Sequence, residues 1–380
     1  MKLELIATTT FGLEAVVKRE IQDLGYRIIS TEDGKVTFLG DDNAIARSNL
    51  WLRTADRILL KMGEFKAETF EELFQQTKAL PWGNYIALDG EFPVNGSSVK
   101  SKLSSIPACQ SIVKKAIVES LREYYCQDIL NESGEKYSVK VTLLKDRATL
   151  TMDTSGAGLH KRGYRVNDVK APIKETLAAA MVLLSFWNKE RLLIDPCCGS
   201  GTIPIEAALI GRNIAPGLNR SFASEKWDCF DNGIWKAERK KAFEQIDYSS
   251  ELRITGIDIE EEAISAAKNN AAEAGVDEDI RFINMDMKKL KITNDENGII
   301  ITNPPYGERI GDTNIKNKIY DKLNRLIIEN PRWSLFMITT DKNIEEKIFS
   351  RKADRRRKLY NGRLETCYYQ FHGEKKRHED

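Results

Sequence analysis

The chain has 380 residues, of which 41% are hydrophobic and 30% charged, a composition typical of a globular protein with two or three domains. The net charge is only +1, so the overall charge indicates neither a nucleic-acid partner nor a membrane surface. No apolar run approaches the ~20 residues of a membrane span, and an early acidic residue interrupts any signal-peptide pattern. Six scattered cysteines and three histidines show no disulfide or metal-site spacing, so we expect a cytoplasmic protein with reduced thiols and no metal.

The first residues alternate between strand and helix patterns. A strand pattern is followed by helical spacing over 13–24, and Gly25 is placed to end that helix. Two further strand patterns flank the turn at 32–34, and Asp41 is placed to cap the next helix. This β-α-β-β-α order predicts a small ferredoxin-like segment over residues 1–44.

A second set of patterns follows in the stretch that ends near residue 155. Its apolar spacing and turn residues predict a strand at 57–66, a helix at 70–80, a short strand at 91–94, a helix at 111–125 and a hairpin of 137–144 with 148–153.

Three stretches of the chain are rich in basic residues. Between Phe92 and Val118 there is no acidic residue, and a second patch lies at 160–165 and a third at 351–358. Any one patch is as consistent with a solvated surface as with phosphate contacts. The candidate phosphate-binding residues are Lys100, Lys102, Lys114, Lys115, Lys161, Arg162 and Arg165.

The stretch from Leu192 to Leu209 combines an apolar strand pattern, a loop with two glycines and an apolar helix. Such a unit presents backbone N–H groups and a helix N-terminus to a ligand. Asp195 lies at the end of the strand, where open α/β sheets bind ligands, and Gly199 and Gly201 permit close approach of a ligand to the backbone. The loop matches neither the dinucleotide fingerprint nor the P-loop, and a tight turn without a ligand is the alternative interpretation.

A second motif, Asn303-Pro304-Pro305-Tyr306, follows the apolar run 299–301. Two prolines fix φ and remove backbone donors, which leaves the carbonyls free to accept hydrogen bonds. An ordinary proline turn is the alternative, but it becomes less plausible when both motifs follow strands in this order.

The remaining patterns alternate between strands and helices. A long insertion at about 211–250 is rich in Trp and charge, a strand ends at Asp258, another ends near Asp286, and 355–360 with 365–371 predict a closing strand pair. This alternation predicts a doubly wound parallel sheet with an antiparallel end.

These motifs resemble those of a known family. The Asp-x-x-x-Gly-x-Gly loop resembles the first motif of Rossmann-like S-adenosylmethionine-dependent methyltransferases, and Asn-Pro-Pro-Tyr resembles the catalytic motif of those that methylate exocyclic or amide nitrogens. Residues 45–155 resemble a THUMP domain, an RNA-binding module. Nearly the whole chain is similar to THUMP-containing rRNA methyltransferases that resemble the amino-terminal half of the bacterial large-subunit rRNA guanine-N2 methyltransferase. The segments that carry this similarity are the two motifs with 159–165, 171–177, 215–218, 307–309 and 361–362.

The resemblance implies an α/β fold, with a Rossmann-like doubly wound methyltransferase domain over 156–380. An α+β ferredoxin-like/THUMP region would precede it, comprising 1–44 and 45–155. The expected cofactor is S-adenosyl-L-methionine. Its candidate binding residues are Asp195, Pro196, Cys197, Gly199, Gly201, Thr202, Asp258, Ile259, Asp286 and Met287.

Two aspartates have expected roles in binding the cofactor. Asp258, at a strand end, is suited to the ribose hydroxyls, with a helix cap as the alternative role. By resemblance Asp286 would accept from the adenine amino group, with a turn cap as its alternative. Ile259 and Met287 would flank the adenine, although lone apolar residues more often belong to the core.

The expected chemistry concerns an amine whose lone pair is delocalised into a base. The Asn303 side-chain oxygen and the Pro304 carbonyl would accept from its hydrogens, while Pro305 stiffens the loop and Tyr306 stacks on the base. A base in a duplex must be flipped to reach such a pocket.

Three functions are compatible with the sequence. The first is methylation of guanine N2 in structured RNA, with 23S rRNA or a ribosome assembly intermediate as the expected partner. The second is methylation of DNA adenine N6 or of protein glutamine, which uses the same catalytic motif. The third is an RNA-binding protein with an inactive methyltransferase fold, and the intact motifs argue against it.

Overall fold

A computed structural model describes residues 2–166, 173–292, 297–306, 312–349 and 351–374. Residues 171–172 and 307–309, which carried part of the family resemblance, lie outside the described residues. The chain divides into two compact units. The first comprises Met1–Thr9, Val17–Leu159 and Arg220–Lys241, and the second comprises Thr10–Val16, His160–Asn219 and Ala242–Asp380.

The first unit is built on a seven-stranded sheet. Its strands are β1 (Leu3–Thr8), β2 (Arg27–Glu32), β3 (Lys35–Gly40), β4 (Arg57–Lys66), β5 (Val94–Val99), β6 (Val139–Leu144) and β7 (Arg147–Asp153). The helices of this part of the chain are α1 (Glu14–Asp23), α2 (Asp42–Trp51), α3 (Phe70–Lys78) and α4 (Ile106–Tyr125). The strand order is β2-β3-β1-β4-β7-β6-β5, so the ferredoxin-like strands and the later strands share one sheet.

Local signals for helix ends are confirmed in this unit. The Asp41 side chain accepts a hydrogen bond from the Ala44 N–H at 2.9 Å and caps α2, as predicted. Thr69 caps α3, and the Glu72 side chain closes a reciprocal capping box. Helix α4 begins at Ile106, five residues before its predicted start, because Pro107 is tolerated in the first turn of a helix.

The predicted strand at 91–94 is wrong. The strand is Val94–Val99, and Glu91 forms only an isolated bridge with Lys136. The position of β5 is decided by its parallel pairing with β6, whose residues lie 45 positions further along the chain. Local alternation contains no information about such a pairing.

The insertion after the first motif contributes to the core of the first unit. Phe222, Trp227, Phe230 and Trp235 belong to the same buried cluster as the strands of that unit. Trp227 stacks on Tyr137 with ring centroids 5.0 Å apart, and its indole N–H donates to the Lys136 carbonyl at 3.1 Å. Arg220–Lys241 therefore belongs to the first compact unit, although it follows the first motif in the sequence.

The second unit contains the other sheet. Its strands are β8 (Leu193–Asp195), β9 (Ile254–Asp258), β10 (Ile280–Asn284), β11 (Ile299–Thr302), β12 (Ser334–Thr339), β13 (Arg355–Asn361) and β14 (Leu364–Phe371). The helices of the rest of the chain are α5 (Glu175–Leu183), α6 (Thr202–Gly211), α7 (Asn232–Glu244), α8 (Glu261–Glu273) and α9 (Asp312–Glu329). The order is β10-β9-β8-β11-β12-β14-β13, with β14 antiparallel to both neighbours, as the predicted antiparallel end requires.

Helices cover both faces of this sheet. Residues alternate between faces along each strand, so Ile299 and Ile301 pack in one buried cluster with α5 and α6, while Ile300 packs in another with α9. The doubly wound, Rossmann-like architecture is therefore confirmed. In the part of the chain described, no helix combines the length and apolar character needed to cross a membrane. No group of three or more potential metal ligands occurs among these residues either.

Candidate functional site

The carboxyl ends of four parallel strands meet at one edge of the second sheet. Strands β8, β9, β10 and β11 run in the same direction, and the register pairs Asp195 with Gly256 and Asn284 with Asp258. The structure therefore brings together the predicted Asp195 loop, Asp258, Asp286 and the Asn303 loop, although they are spread over more than a hundred residues of sequence.

The glycine loop is shaped by two residues with positive φ. Gly199 has a φ of +52° and Gly201 a φ of +82°, a region that favours glycine. A Cβ on Gly201 would lie 3.0 Å from the Ala267 Cβ, so close helix packing also requires glycine there. A Cβ on Gly199 would meet no atom within 4 Å, so the backbone of Gly199 borders open space that a ligand can approach.

Asp258 ties the end of β9 to the glycine loop. Its Oδ2 accepts from the Gly199 N–H at 2.9 Å, and its Oδ1 accepts from the Glu260 N–H at 3.0 Å. Each carboxylate oxygen can accept a further hydrogen bond, so the half-buried group retains capacity for two hydroxyl donors. Asp258 thus holds the glycine loop against β9 and can still accept hydrogen bonds from a ligand.

Asp195 is buried, with 1% of its surface exposed, at the end of β8. Burial raises the pKa of this carboxyl to about 7, against the opposing effects of the Thr302 hydroxyl and the Cys197 N–H. The Cys197 N–H donates to its Oδ1 at 3.1 Å, and no described cation pairs with it. Because an ionised carboxylate is costly to bury without a counter-charge, this position favours a ligand that carries a cation.

The neighbouring cysteines pack within this loop. Burial raises the pKa of both the Cys197 and the Cys198 thiol well above the usual range, which disfavours their thiolate forms. The Cys198 N–H donates to the Ile257 carbonyl at 2.9 Å, and this bond joins the loop to β9. Pro196, the other predicted cofactor residue of this loop, is buried.

Asp286 caps the short turn Met287–Lys289. The Lys288 N–H donates to it at 2.9 Å, and this bond, with the Lys288 ammonium 3.0 Å away, lowers the pKa of the carboxyl. Of the two apolar residues predicted to flank an adenine, Ile259 is 64% exposed, whereas Met287 is buried in the core. Ile259 is therefore the better placed to contact a ligand.

The Asn303 loop contains an internal hydrogen bond. The Tyr306 hydroxyl donates to the Asn303 Oδ1 at 2.7 Å. The amide oxygen can accept a second hydrogen bond, so this contact orients the side chain without saturating it. Both side chains are half-buried, while Pro304 is buried and Pro305 exposed.

Arg162 and Arg165, which were predicted to contact RNA, form ion pairs within the second unit instead. Arg162 is only 4% exposed and lies 3.4 Å from the Glu206 carboxylate, which also accepts from the Tyr164 hydroxyl at 3.0 Å. The prediction that Arg162 contacts phosphate is therefore wrong, because a buried guanidinium cannot reach a backbone outside the protein. Sequence reasoning missed Glu206, although an acidic residue within an apolar helix was an available signal.

Arg165 braces the start of α6. It donates to the Thr202 hydroxyl at 3.1 Å and to the Ile173 carbonyl at 3.0 Å, and it pairs with Glu175 at 3.2 Å. Thr202 is buried, and its hydroxyl accepts this hydrogen bond from Arg165. Of the three predicted contacts in this patch, Lys161 alone is exposed.

The stretch 92–118 contains no acidic residue, but three of its lysines form ion pairs with glutamates that lie outside it in the sequence. Lys102 pairs with Glu68, Lys114 with Glu132 at 2.6 Å, and Lys115 with Glu119 at 3.9 Å. The Lys114 ammonium also lies 3.4 Å from the centre of the Phe92 ring. Lys100 is exposed and forms no ion pair with a described residue. Surface ion pairs of this kind contribute little to stability.

Three family models match the chain in order. The RlmL ferredoxin-like domain matches residues 4–59, the THUMP domain matches 67–153, and the RMKL-like methyltransferase domain matches 162–370. The last of these covers more than half of the chain.

Two curated relatives align along almost the whole chain. YpsC of Bacillus subtilis (strain 168), by its name a proposed RNA methyltransferase, is 50% identical over 97% of this chain and 96% of its own length. The ribosomal RNA large subunit methyltransferase K/L of Syntrophotalea carbinolica is 32% identical over 97% of this chain. The match spans 53% of that longer relative.

Solved structures agree with the fold over its full length. SMU.472, a proposed methyltransferase in complex with SAH, superposes with a TM-score of 0.93, is 45% identical and covers 99% of each chain. A protein from Listeria monocytogenes, described as a predicted N6-adenine-specific DNA methylase, superposes with a TM-score of 0.94 at 49% identity, with 98% of this chain and 97% of that one covered.

Proposed function

The chain belongs to the family of RMKL-like methyltransferases, and we propose that it methylates the exocyclic N2 amine of a guanine in 23S ribosomal RNA. The observation that carries this proposal is the Asn303 loop, whose amide oxygen lies at the same sheet edge as Asp195 and Asp258. The THUMP match supports an RNA substrate, and the ribosomal RNA enzyme that is 32% identical supports rRNA.

S-adenosyl-L-methionine is the cofactor of this family, and the residues present fit it. The buried Asp195 lacks a cation and is suited to the amino-acid end, together with the backbone of the loop at Gly199. Asp258 retains acceptor capacity for the ribose hydroxyls. Asp286 and Ile259 would contact the adenine. When bound, the cofactor supplies an electrophilic methyl group.

The residues of the Asn303 loop prepare the amine. Its lone pair is delocalised into the base, so two acceptors aimed at its hydrogens make the nitrogen more nucleophilic. We assign these roles to the Asn303 amide oxygen and the Pro304 carbonyl, and the Tyr306 ring holds the extruded base in line. The amine proton leaves to water after transfer, so the site requires no strong base.

Replacing Asp258 with alanine should weaken S-adenosyl-L-methionine binding. Loss of hydrogen bonds to a charged group costs about 1.5–3 kcal/mol, or roughly 10- to 150-fold in affinity. The Gly199 N–H would also lose its acceptor, which loosens the glycine loop. Titration calorimetry measures the effect, with Glu278→Ala as a control that removes an exposed carboxylate elsewhere. Equal affinities of the two variants would contradict the assignment.

The raised pKa of Asp195 predicts a pH dependence of cofactor binding. Below a pKa of about 7 the free protein holds this carboxyl protonated, so binding of a cationic group must release a proton. Affinity should therefore rise by up to about tenfold for each pH unit as the pH approaches 7 from below. Asp195→Asn should bind weakly at every pH. An affinity that does not change between about pH 5 and 8 would show that Asp195 does not face the cationic end.

Replacing Lys100, Lys102, Lys114 and Lys115 with alanine should weaken RNA binding. Removing one lysine–phosphate contact should lower the slope of log affinity against log salt by about 0.7–0.9, because fewer counterions are released. Three of these lysines already pair with glutamates, so we expect a smaller decrease in slope than four full phosphate contacts would give. Filter binding over a salt series measures the slope, and cofactor affinity serves as the control. An unchanged slope would exclude this surface.

Mass spectrometry of nucleosides tests the proposed function directly. Ribosomal RNA from cells that lack the gene should lose one N2-methylguanosine that returns on complementation, and Asn303→Ala should not restore it. The competing function, DNA adenine methylation, is favoured by the description of the Listeria protein. Loss of N6-methyladenine from DNA with intact rRNA would establish that function instead.

A further inference from the structure

The basic patch at 351–358 continues into a hairpin of the second unit. Strand β13 pairs with β14 over seven residue pairs, and the turn between them contains Gly362 with a φ of +62°. Residues 351–363 carry one acidic residue, Asp354, and seven basic ones. The basic residues are Arg351, Lys352, Arg355, Arg356, Arg357, Lys358 and Arg363.

Only part of this charge is neutralised within the described structure. Arg351 pairs with Asp354 at 3.2 Å, Arg356 with Glu345 at 3.3 Å, and Lys358 with Glu365 at 2.6 Å. No ion pair to a described residue is formed by the remaining four, which are Lys352, Arg355, Arg357 and Arg363. Arg357 is half-buried and the other three are exposed, so the hairpin presents a surplus of positive charge to solvent.

The register places this charge beside the catalytic edge. Thr302 of β11 pairs with Met337, Met337 with Tyr369, and Tyr369 with Arg356, so these four residues form one row across the sheet. Strand β13 runs parallel to β11, and its turn therefore projects on the same side of the sheet as the Asn303 loop. Three strand spacings separate β13 from β11, a lateral distance of roughly 14 Å.

An aromatic pair, exposed at Phe11 and half-buried at Tyr360, adjoins the hairpin, and the alternation of β13 places Arg356 and Lys358 on the same face as Tyr360. Phe11 is 46% exposed, and its ring meets that of Tyr360 edge to face with centroids 6.2 Å apart. The residue after Phe11 lies close to β13, since a Cβ on Gly12 would lie 2.6 Å from the Lys358 carbonyl oxygen. The Lys358 ammonium lies 5.5 Å from the centre of the Tyr360 ring. Aromatic faces next to guanidinium groups form a surface on which unpaired bases stack while phosphates are neutralised.

We propose that Phe11, Tyr360, Arg356, Lys358 and Arg363, together called the hairpin surface, bind the single-stranded RNA that flanks the base being methylated. A base that is extruded into the Asn303 loop leaves neighbouring nucleotides unpaired, and their phosphates lie one to three nucleotides from the site. The hairpin surface is at the distance such nucleotides reach. This inference rests on the proposed RNA substrate and assigns the catalytic unit its own RNA contacts, separate from the lysines of α4.

The test compares two triple variants with equal loss of charge. R356A/K358A/R363A removes the three exposed cations of the hairpin surface, and K268A/R281A/R325A removes three exposed cations elsewhere in the same unit. The probe is a single-stranded 20-nucleotide oligouridylate, titrated by fluorescence anisotropy over a salt series. The hairpin variant should bind roughly tenfold or more weakly with a salt slope lower by about one to two, because each phosphate of a single strand contributes about 0.7 to the slope and two of the three cations also pair with glutamates.

Further variants separate charge, stacking and folding. R356K/K358R/R363K preserves the charge and should retain the salt slope of the parent. Phe11→Ala should weaken binding several-fold without changing the slope, because stacking releases no counterions. Cofactor affinity, which reports an intact second unit, should stay within about twofold of the parent in every variant. A hairpin variant that loses cofactor affinity is replaced by the single variant Arg363→Ala, which lies in the turn outside the strand pairing.

The outcomes distinguish this inference from the proposed function. The inference is overturned when the hairpin variant matches the parent in affinity and slope, or when the control variant loses as much. A parent protein that binds the oligouridylate through the hairpin surface yet leaves rRNA guanines unmethylated would overturn the proposed function alone. If the parent methylates rRNA and the hairpin variant binds the oligouridylate with the same affinity and salt slope as the parent, the inference alone is overturned.

Discussion

Replacing Asn303 with alanine is expected to slow methyl transfer by about 10²–10³-fold, the usual effect of removing one preorganised polar group from a reaction centre. The variant loses the acceptor that makes the amine nucleophilic, while the Asp195 loop and Asp258 remain intact. Cofactor affinity should therefore stay within about twofold of the parent. Single-turnover rates at saturating cofactor, with titration calorimetry on the same preparation, measure both quantities.

Tyr306→Phe is the matched control for this variant. It keeps the ring that stacks on the base and removes the hydroxyl that donates to the Asn303 Oδ1 at 2.7 Å. We expect a loss of roughly tenfold or less, because a freed amide still reaches the amine but is less well oriented. Parent-like turnover of Asn303→Ala would show that the amine is activated by other groups.

Replacing Trp227 with alanine is expected to destabilise the first unit by about 3–5 kcal/mol, the usual cost of removing a buried Trp. Trp227 is fully buried, stacks on Tyr137 and donates to the Lys136 carbonyl. Its removal leaves a cavity and an unsatisfied carbonyl in the core of that unit. Urea unfolding followed by far-UV circular dichroism measures the change in the free energy of unfolding.

Phe243→Ala is the control for the effect of truncating an aromatic side chain in this part of the chain. Phe243 lies on α7 and is 71% exposed, so its truncation should change the free energy of unfolding by no more than about 0.5 kcal/mol. If Trp227→Ala were as stable as Phe243→Ala, the insertion would not be part of the core of the first unit.

Local patterns in the sequence were enough to predict the architecture of the second unit and the location of its candidate site. Apolar runs that end at Asp195, Asp258 and Asn303 specify parallel strands, and the carboxyl ends of such strands must share one edge of the sheet. The caps of helices were equally readable, as at Asp41, because capping is a contact between residues only a few positions apart. These features depend on local periodicity and on rules of chain topology.

The contacts between residues far apart along the chain became known from the folded structure. It placed the insertion with Trp227 in the core of the first unit, moved β5 to Val94–Val99, and buried Arg162 against Glu206. It also placed Glu132 beside Lys114, although the stretch of sequence around Lys114 contains no acidic residue. Each of these outcomes depends on contacts between segments far apart along the chain. Charge and hydrophobicity along the sequence indicate what a residue can bind, whereas burial and its partners in space decide what it does bind.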